Sequence, residues 1–533
     1  MAKITCGLEI HQQLDTGKLF CKCPSKLNEN PPEYTIERRL RAVIGESGEV
    51  DPAAAAQAMR ARENIYECHD ENVCLIDLDE EPPRPIREEA LKIAIQAGKL
   101  LKARFVDEAQ VMRKIVIDGS NTTGFQRTTL IAMDGSIQST KGPIRIPTVI
   151  LEEDSARIIE ERESKSVYRL DRLGIPLLEI STAPEITSPE QCQEVARELG
   201  LILRSLPVKR GQGTIRQDVN VSIKGGARVE IKGAQDLKLL PTLVKLEAQR
   251  QENLIKIKKE LAKRKAKITT SKPKDITHLL ERSNSKIINS ALARGGKVLS
   301  IKLPGFSSLL GIELQPGRRL GSELSDRAKW ASSVKGLFHS DELPNYGIEK
   351  EEVRKIKQAL LCKEEDAFIL VAAQEDEALR AINAAVKRAQ ESIKGVPKEV
   401  RKAMPDGTTR FIRPMPGASR MYPETDVLPI KITKEKLSVE LPETIQEKTK
   451  RYKKILPEDI AKALAKSQKT KLFDLCIKKF KSLKPAYIAE VILTTPAVIK
   501  REYGVEINPS DQDFEDLFSA LERGKIAKES IID

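Results

Sequence analysis

Tryptophan and histidine are the scarcest side chains in this chain, and aromatics as a whole are few. Aromatics make up 4% of it, with the single tryptophan Trp330, and the only imidazoles are His11, His69, His278 and His339. Four histidines leave few candidates for triad chemistry. No apolar run reaches the ~20 residues that a membrane-spanning helix needs. Met1-Ala2-Lys3-Ile4 does not begin a secretory signal, so a cytoplasmic protein is expected. Phosphate-binding glycine loops are missing as well. No Gly-Lys-Ser or Gly-Lys-Thr occurs, and Gly211-Gln212-Gly213 lacks the third glycine of a dinucleotide fingerprint. Neither His-Glu-x-x-His nor Gly-x-Ser-x-Gly is present. Metalloprotease and serine-hydrolase chemistry therefore have no motif to rest on.

What the chain has in quantity is charge. Lys and Arg number 91 against 78 acidic residues, a formal net charge of +13. That balance favours a polyanionic partner, RNA or DNA. Length sets the next bound: 533 residues exceed one core, and roughly three or four domains are expected. Eight cysteines in a cytoplasmic chain point to thiols or metal rather than disulfides. Cys21-Lys22-Cys23 is followed only loosely by Cys68 and Cys74, which is not a standard zinc spacing. Buried free thiols are the expectation, with a structural zinc as the alternative.

The opening stretch, Cys6 to Leu14, alternates like a strand. Leu8, Ile10 and Gln12 point one way, and Glu9, His11 and Gln13 the other. A carboxylate and an imidazole thus share one face, a pairing suited to a divalent metal or to phosphate handling. Ala90, Leu91, Ala94, Ile95, Ala97 and Leu101 form a helical stripe after Pro82, Pro83 and Pro85. From Val111 to Ile180 the pattern is strand-like, in runs at 111–117, 129–132 and 144–151 separated by Gly and Asp-Gly turns, which predicts an antiparallel sheet. Two more strands flank Gly225-Gly226. Between Arg250 and Lys274 there are ten basic residues and two acidic ones. Leu254, Ile257 and Leu261 at helical spacing make this a basic amphipathic helix running into a linker, with an RNA-backbone contact as its functional reading.

Four segments follow from these textures. Residues 1–274 form a largely antiparallel-sheet domain ending in the basic helix, and 275–395 an α/β insert expected to fold on its own. Residues 396–437 return to the first domain, and 438–533 are a helical tail. The class is α+β and multidomain. Within the return, Arg413 to Asp426 is too rich in Pro and Gly for regular structure, and its two Arg, Tyr422 and two acids suit a site.

Acidic residues recur beside the strands: Glu152, Glu153 and Asp154 at a strand end, Asp171, Glu179, and Asp218. With Glu9, His11 and Lys114 they compose a candidate oxygen-rich magnesium site for nucleotide phosphates. Magnesium takes only one or two carboxylates directly, so most of this set belongs around the metal rather than on it.

Gly7-Leu8-Glu9-Ile10-His11, Leu151-Glu152-Glu153-Asp154, Arg172 to Ile180 and Arg216-Gln217-Asp218-Val219-Asn220-Val221-Ser222 resemble, in order, the motifs of the GatB/GatE family, subunits of tRNA-dependent amidotransferases. The resemblance covers essentially the whole chain. Arg113 to Asn121 with Gly124 to Arg127, the insert, which is similar to the GAD domain of bacterial aspartyl-tRNA synthetases, and the tail, similar to YqeY-like helical domains, fit the archaeal GatE branch. One departure concerns the cysteines: GatB members carry two C-x-x-C-like pairs, and here the second is degenerate. The resemblance implies a cradle-type catalytic domain, ATP and Mg2+ as cofactors, and tRNA(Gln) with a GatD-like asparaginase or amidase subunit as partners. It implies an ATP-dependent carbon–nitrogen ligase with glutamine as amido donor, which converts Glu-tRNA(Gln) to Gln-tRNA(Gln) through an acyl phosphate. Residue by residue, it implies metal contact by His11 and Glu152. Glu9, Asp171, Glu179 and Asp218 would position substrate, Lys114 would offset phosphate charge, and Ser120, Asn121 and Gln126 would line the ATP site. A GatB-type subunit with another amidase, a non-catalytic tRNA-binding protein and an aminoacyl-tRNA synthetase are the alternatives.

Overall fold

The alternation at the N-terminus becomes β1 (Ile4–Gln13), the middle of an eleven-stranded sheet. The computed structural model describes residues 3–40, 63–162, 165–268, 272–415 and 421–531. Two shorter strands, β2 (Tyr34–Arg38) and β3 (Glu63–Cys68), lie in a separate sheet. The predicted stripe folds as helix α1 (Glu88–Leu100), which buries Ala90, Leu91, Ala94, Ile95 and Ala97. The predicted strand runs then appear as β4 (Val111–Ile115), β5 (Phe125–Ser139) and β6 (Gly142–Glu153). Next come β7 (Arg157–Glu161), β8 (Lys165–Arg169), β9 (Pro176–Ser181), β10 (Ile215–Ile223) and β11 (Val229–Lys232).

The basic stretch forms helix α2, Leu240–Lys263, which starts ten residues before Arg250. Its apolar residues Leu254, Ile257 and Leu261 enter one core with Leu299, Ile301 and Leu303 of β12 (Lys297–Leu303), with helix α3 (Leu320–Ala331), and with β13 (Ala367–Ala373) and α4 (Glu375–Lys394). The residues of the insert therefore share their core with a helix that precedes it. The 269–271 part of the expected linker lies outside the described residues. After α4 the chain forms β14 (Glu399–Ala403), β15 (Thr409–Pro414) and β16 (Met421–Pro423). Part of the Pro-rich return is thus regular, because Met421 to Pro423 adds an edge strand to β4. Proline is tolerated there since an edge strand has N–H groups that no neighbour needs. Residues 416–420 of that stretch lie outside the described residues.

The large sheet runs β15-β14-β11-β10-β1-β9-β6-β5-β4-β16, with an eleventh short strand, Arg104–Phe105, pairing β5 off this path, and is antiparallel except for the β11–β14 pair. The smaller one runs β2-β3-β8-β7. Mixed α and β structure with antiparallel-dominated sheets agrees with the expected class at that level. One compact unit comprises Met1–Arg197 with Lys209–Ser438, and a second comprises Glu198–Val208 with Val439–Asp533. The second unit has its own core, including Tyr452, Phe473, Ile488, Phe514 and Phe518. Its last helix, Asp511–Glu522, is capped by Ser510, whose hydroxyl accepts from the Asp513 N–H, while the Asp513 carboxylate accepts from the Ser510 N–H.

A network of buried ions joins α2, α3, α4 and β14. Arg250 donates to Glu323 (2.5 Å), Glu399 (2.5 Å) and Glu247 (2.9 Å). Arg388 also donates to Glu323, at 2.5 Å, and Arg401 and Arg327 each reach Glu399 at 2.6 Å. None of these seven side chains is more than 9% exposed. Four guanidinium groups and three carboxylates pair there, as buried charges must, although Glu247 Oε2 and Arg327 Nε lack a hydrogen-bond partner.

Candidate active site

Cross-strand register sets one face of the large sheet. Directly opposed residues share a face, so the pairs His11 with Glu179, His11 with Arg216, Glu9 with Asp218, Thr128 with Glu152, and Lys114 with Gln126 place all these side chains together. The opposite face is apolar, with Leu8, Ile10, Leu151, Leu178, Ile180 and Val219 buried. Alternation thus gathers the polar groups on one face across six strands.

His11 is the hub. Its Nε2 lies 3.3 Å from Glu179, 3.4 Å from Glu152 and 3.7 Å from Glu9. Lys114 Nζ stands 3.6 Å from Glu152 and 3.8 Å from Glu179. Burial disfavours the imidazolium, but the hydrogen bond to Glu179 and the charges of Glu152, Glu179 and Glu9 outweigh it and raise His11 to about 9. Burial and the neighbouring Glu179 push Glu9 up to about 7. Glu179 drops to about 2, because its bond to His11 and the Lys114 charge overcome its own burial. Donor atoms of Glu9, His11 and Glu179 all lie within 4.8 Å of one another, a set that fits a divalent cation. Glu152, 1% exposed, keeps Oε2 without a hydrogen-bond donor beside them.

A proton therefore occupies His11 at neutral pH, and a cation binding there must displace it. Affinity for Mg2+ or Mn2+ is expected to rise with pH up to about 9, by about tenfold per unit for this one proton, and then level off. Below about pH 7 Glu9 adds a second proton to be released, which steepens the dependence. Titration calorimetry in buffers of different ionisation heat reads the proton release directly. A flat profile from pH 6 to 9 would mean that His11 is not a ligand.

The other sequence-predicted residues divide. Asp218 accepts from Lys232 Nζ (2.8 Å) and from the Gly233 N–H (3.0 Å), beside Glu9 in register. Lys232, which also reaches Glu230 at 2.7 Å, is absent from the sequence-derived set, although Glu230-Ile231-Lys232 alternates visibly. Gln126 is on the face and donates to the Glu153 carbonyl at 2.7 Å. Asn121, 1% exposed, accepts from the Ser155 hydroxyl, and its Nδ2 is buried without an acceptor. The adjoining turn is fixed from the smaller sheet: the Tyr66 hydroxyl donates to the Gly119 carbonyl and that of Tyr168 to the Asp118 carbonyl. Gly119 sits at φ +93°, and a Cβ there would meet Asn64 Oδ1 at 2.2 Å, so this turn requires glycine. Ser120 donates to Asp118 at 2.6 Å. Asp171 is not drawn to His11; it accepts from Arg157 (2.7 Å) and the Asn28 N–H (3.0 Å). In the return, Glu424 accepts from Arg113 and from Arg127 (2.8 Å), and the Arg113 guanidinium lies over the Phe125 ring at 4.7 Å.

A second cluster lies near this turn. Cys21, Cys23, Cys74 and Asp77 bring three sulfurs and a carboxylate oxygen within 4.8 Å of one another. Cys68 is not part of it but is buried against Tyr66 and Tyr168. The signal that spacing alone missed is Cys74-Leu75-Ile76-Asp77, with the carboxylate in place of a fourth thiol. Hydrogen bonds from Cys21 and Cys23 draw the Cys74 thiol well down, and the same contacts push Cys21 up. Fully buried Lys18 stands 3.3 Å from Asp77, and the Thr122 hydroxyl donates to the Asp77 carbonyl at 2.7 Å.

Comparison with known proteins places these features. The GatB/GatE catalytic domain matches residues 4–438. A glutamyl-tRNA(Gln) amidotransferase subunit of the E type, from Methanocaldococcus jannaschii, is 50% identical over 99% of this chain and 85% of its own length. The protein of the same name from Pyrococcus abyssi is 49% identical over 98% and 83%, and that from Methanococcus maripaludis 48% over 99% and 84%. With its sheet, its polar face and this likeness over nearly its whole length, the chain belongs to the GatB/GatE family.

Proposed function

We propose that the chain is the activating subunit of a glutamyl-tRNA(Gln) amidotransferase, which uses ATP to phosphorylate the side-chain carboxylate of glutamate carried on tRNA(Gln). The observation that carries this reading is the convergence of His11, Glu9, Glu152, Glu179 and Lys114 on one sheet face. A carboxylate is a poor acceptor for ammonia because oxide would have to leave. Its oxygen attacks the γ-phosphorus of ATP, ADP departs, and the acyl phosphate then loses phosphate as ammonia forms the amide. Where the motifs implied His11 with Glu152, the geometry favours Glu9, His11 and Glu179 as the groups that would hold magnesium, with Glu152 beside His11; the ion would supply charge neutralisation at the transferring phosphoryl group. Lys114 offsets charge on the same group, and Lys232, held by Asp218, sets its positive charge near Glu9. Ser120, Asn121 and Gln126 are assigned to the nucleotide side. Ammonia comes from a GatD-like asparaginase subunit.

Residues 275–395 are the GAD-like insert and 438–533 the YqeY-like tail of this reading, both serving tRNA recognition rather than chemistry. The test uses the chain with its amidase partner. ATP cleavage is expected only with Glu-tRNA(Gln) present and with transfer of labelled γ-phosphate to the glutamyl group. Cleavage indifferent to Glu-tRNA would overturn the proposal.

Zinc is assigned to Cys21, Cys23, Cys74 and Asp77, whose soft sulfurs and single carboxylate suit it. Through the Thr122–Asp77 bond it would brace the 118–123 turn. Chelation, or Cys74→Ser, is expected to release about one zinc per chain and to lower the melting temperature measurably. Metal analysis that finds no zinc in the purified protein would leave these groups as thiols.

A further inference from the structure

Beside His11, two arginines converge on one carboxylate. Arg216 is the cross-strand neighbour of His11 and shares its face. Its Nη2 donates to Asp154 Oδ1 at 2.8 Å, and Arg172 Nε lies 3.8 Å from Asp154 Oδ2. Asp154, 1% exposed, also accepts from Gln13 Nε2 (2.8 Å), another side chain of the catalytic face. The next charges along, Asp171 and Arg157, are committed to each other at 2.7 Å.

The two guanidinium groups are not spent on Asp154. Arg172 uses Nε and Nη2 on the carbonyls of Ser155 and Ala156, both at 2.8 Å. Arg216 uses Nη2 alone among the described residues, and its side chain is 34% exposed. Its Nε and Nη1 therefore remain available to a ligand. Burial and the nearby Arg216 both disfavour the charge on Arg172. A second anion between the two would relieve that repulsion, and arginine forks match phosphate oxygens.

Building on the function proposed above, we infer that Arg216 and Arg172, held by Asp154 and Gln13, form a phosphate-binding subsite next to His11. Like Lys114, this pair then sets positive charge close to the metal-ligating cluster. Phosphate oxygens reach this place from one of two sources, the triphosphate of ATP or the backbone of the tRNA acceptor end. Neither source requires any residue beyond those named.

The experiment measures two affinities and one melting temperature on the full chain with its partner. Mg·ATP binding is followed by calorimetry and tRNA binding across a salt series, for wild type, Arg216→Gln, Arg216→Lys and Arg172→Lys. A loss of about tenfold to a hundredfold in ATP affinity, with tRNA affinity kept, assigns the subsite to the triphosphate. The same loss for tRNA, with the salt slope reduced by about one, assigns it to the tRNA backbone. Arg216→Lys keeps a charge on Asp154 but loses the fork, so it separates phosphate binding from folding if Arg216→Gln is unstable. Unchanged affinities for both ligands in the lysine variants, with or without a lower melting temperature, overturn the inference and leave a structural ion pair. A wild-type complex that binds no nucleotide would instead refute the underlying function.

Discussion

Replacing His11 with alanine is expected to lower phosphorylation of Glu-tRNA about a thousandfold, while tRNA binding stays near normal. The size follows from losing one ligand of a cation that stabilises developing phosphoryl charge, a contribution of several kcal/mol. The substitution also removes the positive group facing Glu9, Glu152 and Glu179, and leaves Lys114 and the more distant Lys232 to balance three carboxylates. Glu9, already raised to about 7, is then pushed higher still and becomes a poorer ligand. His11→Gln keeps a side chain of similar reach without the imidazole nitrogen and serves as the packing control. A packing role predicts activity that scales with the folded fraction. A metal role predicts lost activity in a protein that melts normally. A well-folded His11→Ala protein with near-normal phosphorylation would sink the metal site.

The buried ionic network carries the second large effect. Glu323→Gln leaves Arg250, Arg388 and Arg401 short of a negative charge in a dry interior, and a loss of about 3–5 kcal/mol in stability is expected. Glu247 lies in the same network but behaves oppositely. Burial dominates there and raises it, and its Oε2 has no donor. Glu247→Gln is accordingly expected to be neutral or mildly stabilising. The pH sign agrees. Glu323 is buried, yet Arg250, Arg388 and Arg401 hold it well below the usual carboxylate range. Its stabilisation is complete above the unfolded value of 4.5 and is lost only as pH falls through the lower folded one. Urea unfolding of both variants tests the contrast, and equal losses would refute it.

The face of the sheet was legible from sequence because strand alternation is local. Glu9 and His11 follow from one ten-residue stretch, and so does the helix stripe at Ala90 to Ala97. Partners across strands were not legible, because register depends on strands far apart in the chain. Arg216 lies 205 positions from His11 and faces it only through the β1–β10 ladder. Lys232 escaped for the same reason. The cysteine cluster was hidden by chemistry rather than distance, since a carboxylate stands where spacing rules look for sulfur. Asp171, a motif residue beside a site strand, accepts from Arg157 and the Asn28 N–H, partners that its place in the sequence does not reveal. The helix at 240–263 was legible as amphipathic, but not that its apolar side belongs to the core of the following segment.

Strands β15 and β16 stand at the two opposite margins of the large sheet, yet only seven peptide units separate Pro414 from Met421. Fully extended, those units span about 25 Å. Ten strands laid flat at about 4.8 Å spacing would set the margins about 43 Å apart. The sheet must therefore be rolled into a trough, whatever route the connecting residues take. Its width is limited by a covalent tether rather than by packing alone. A strand at either margin therefore cannot shift outward by itself, because the chain carries any such shift across to the opposite margin.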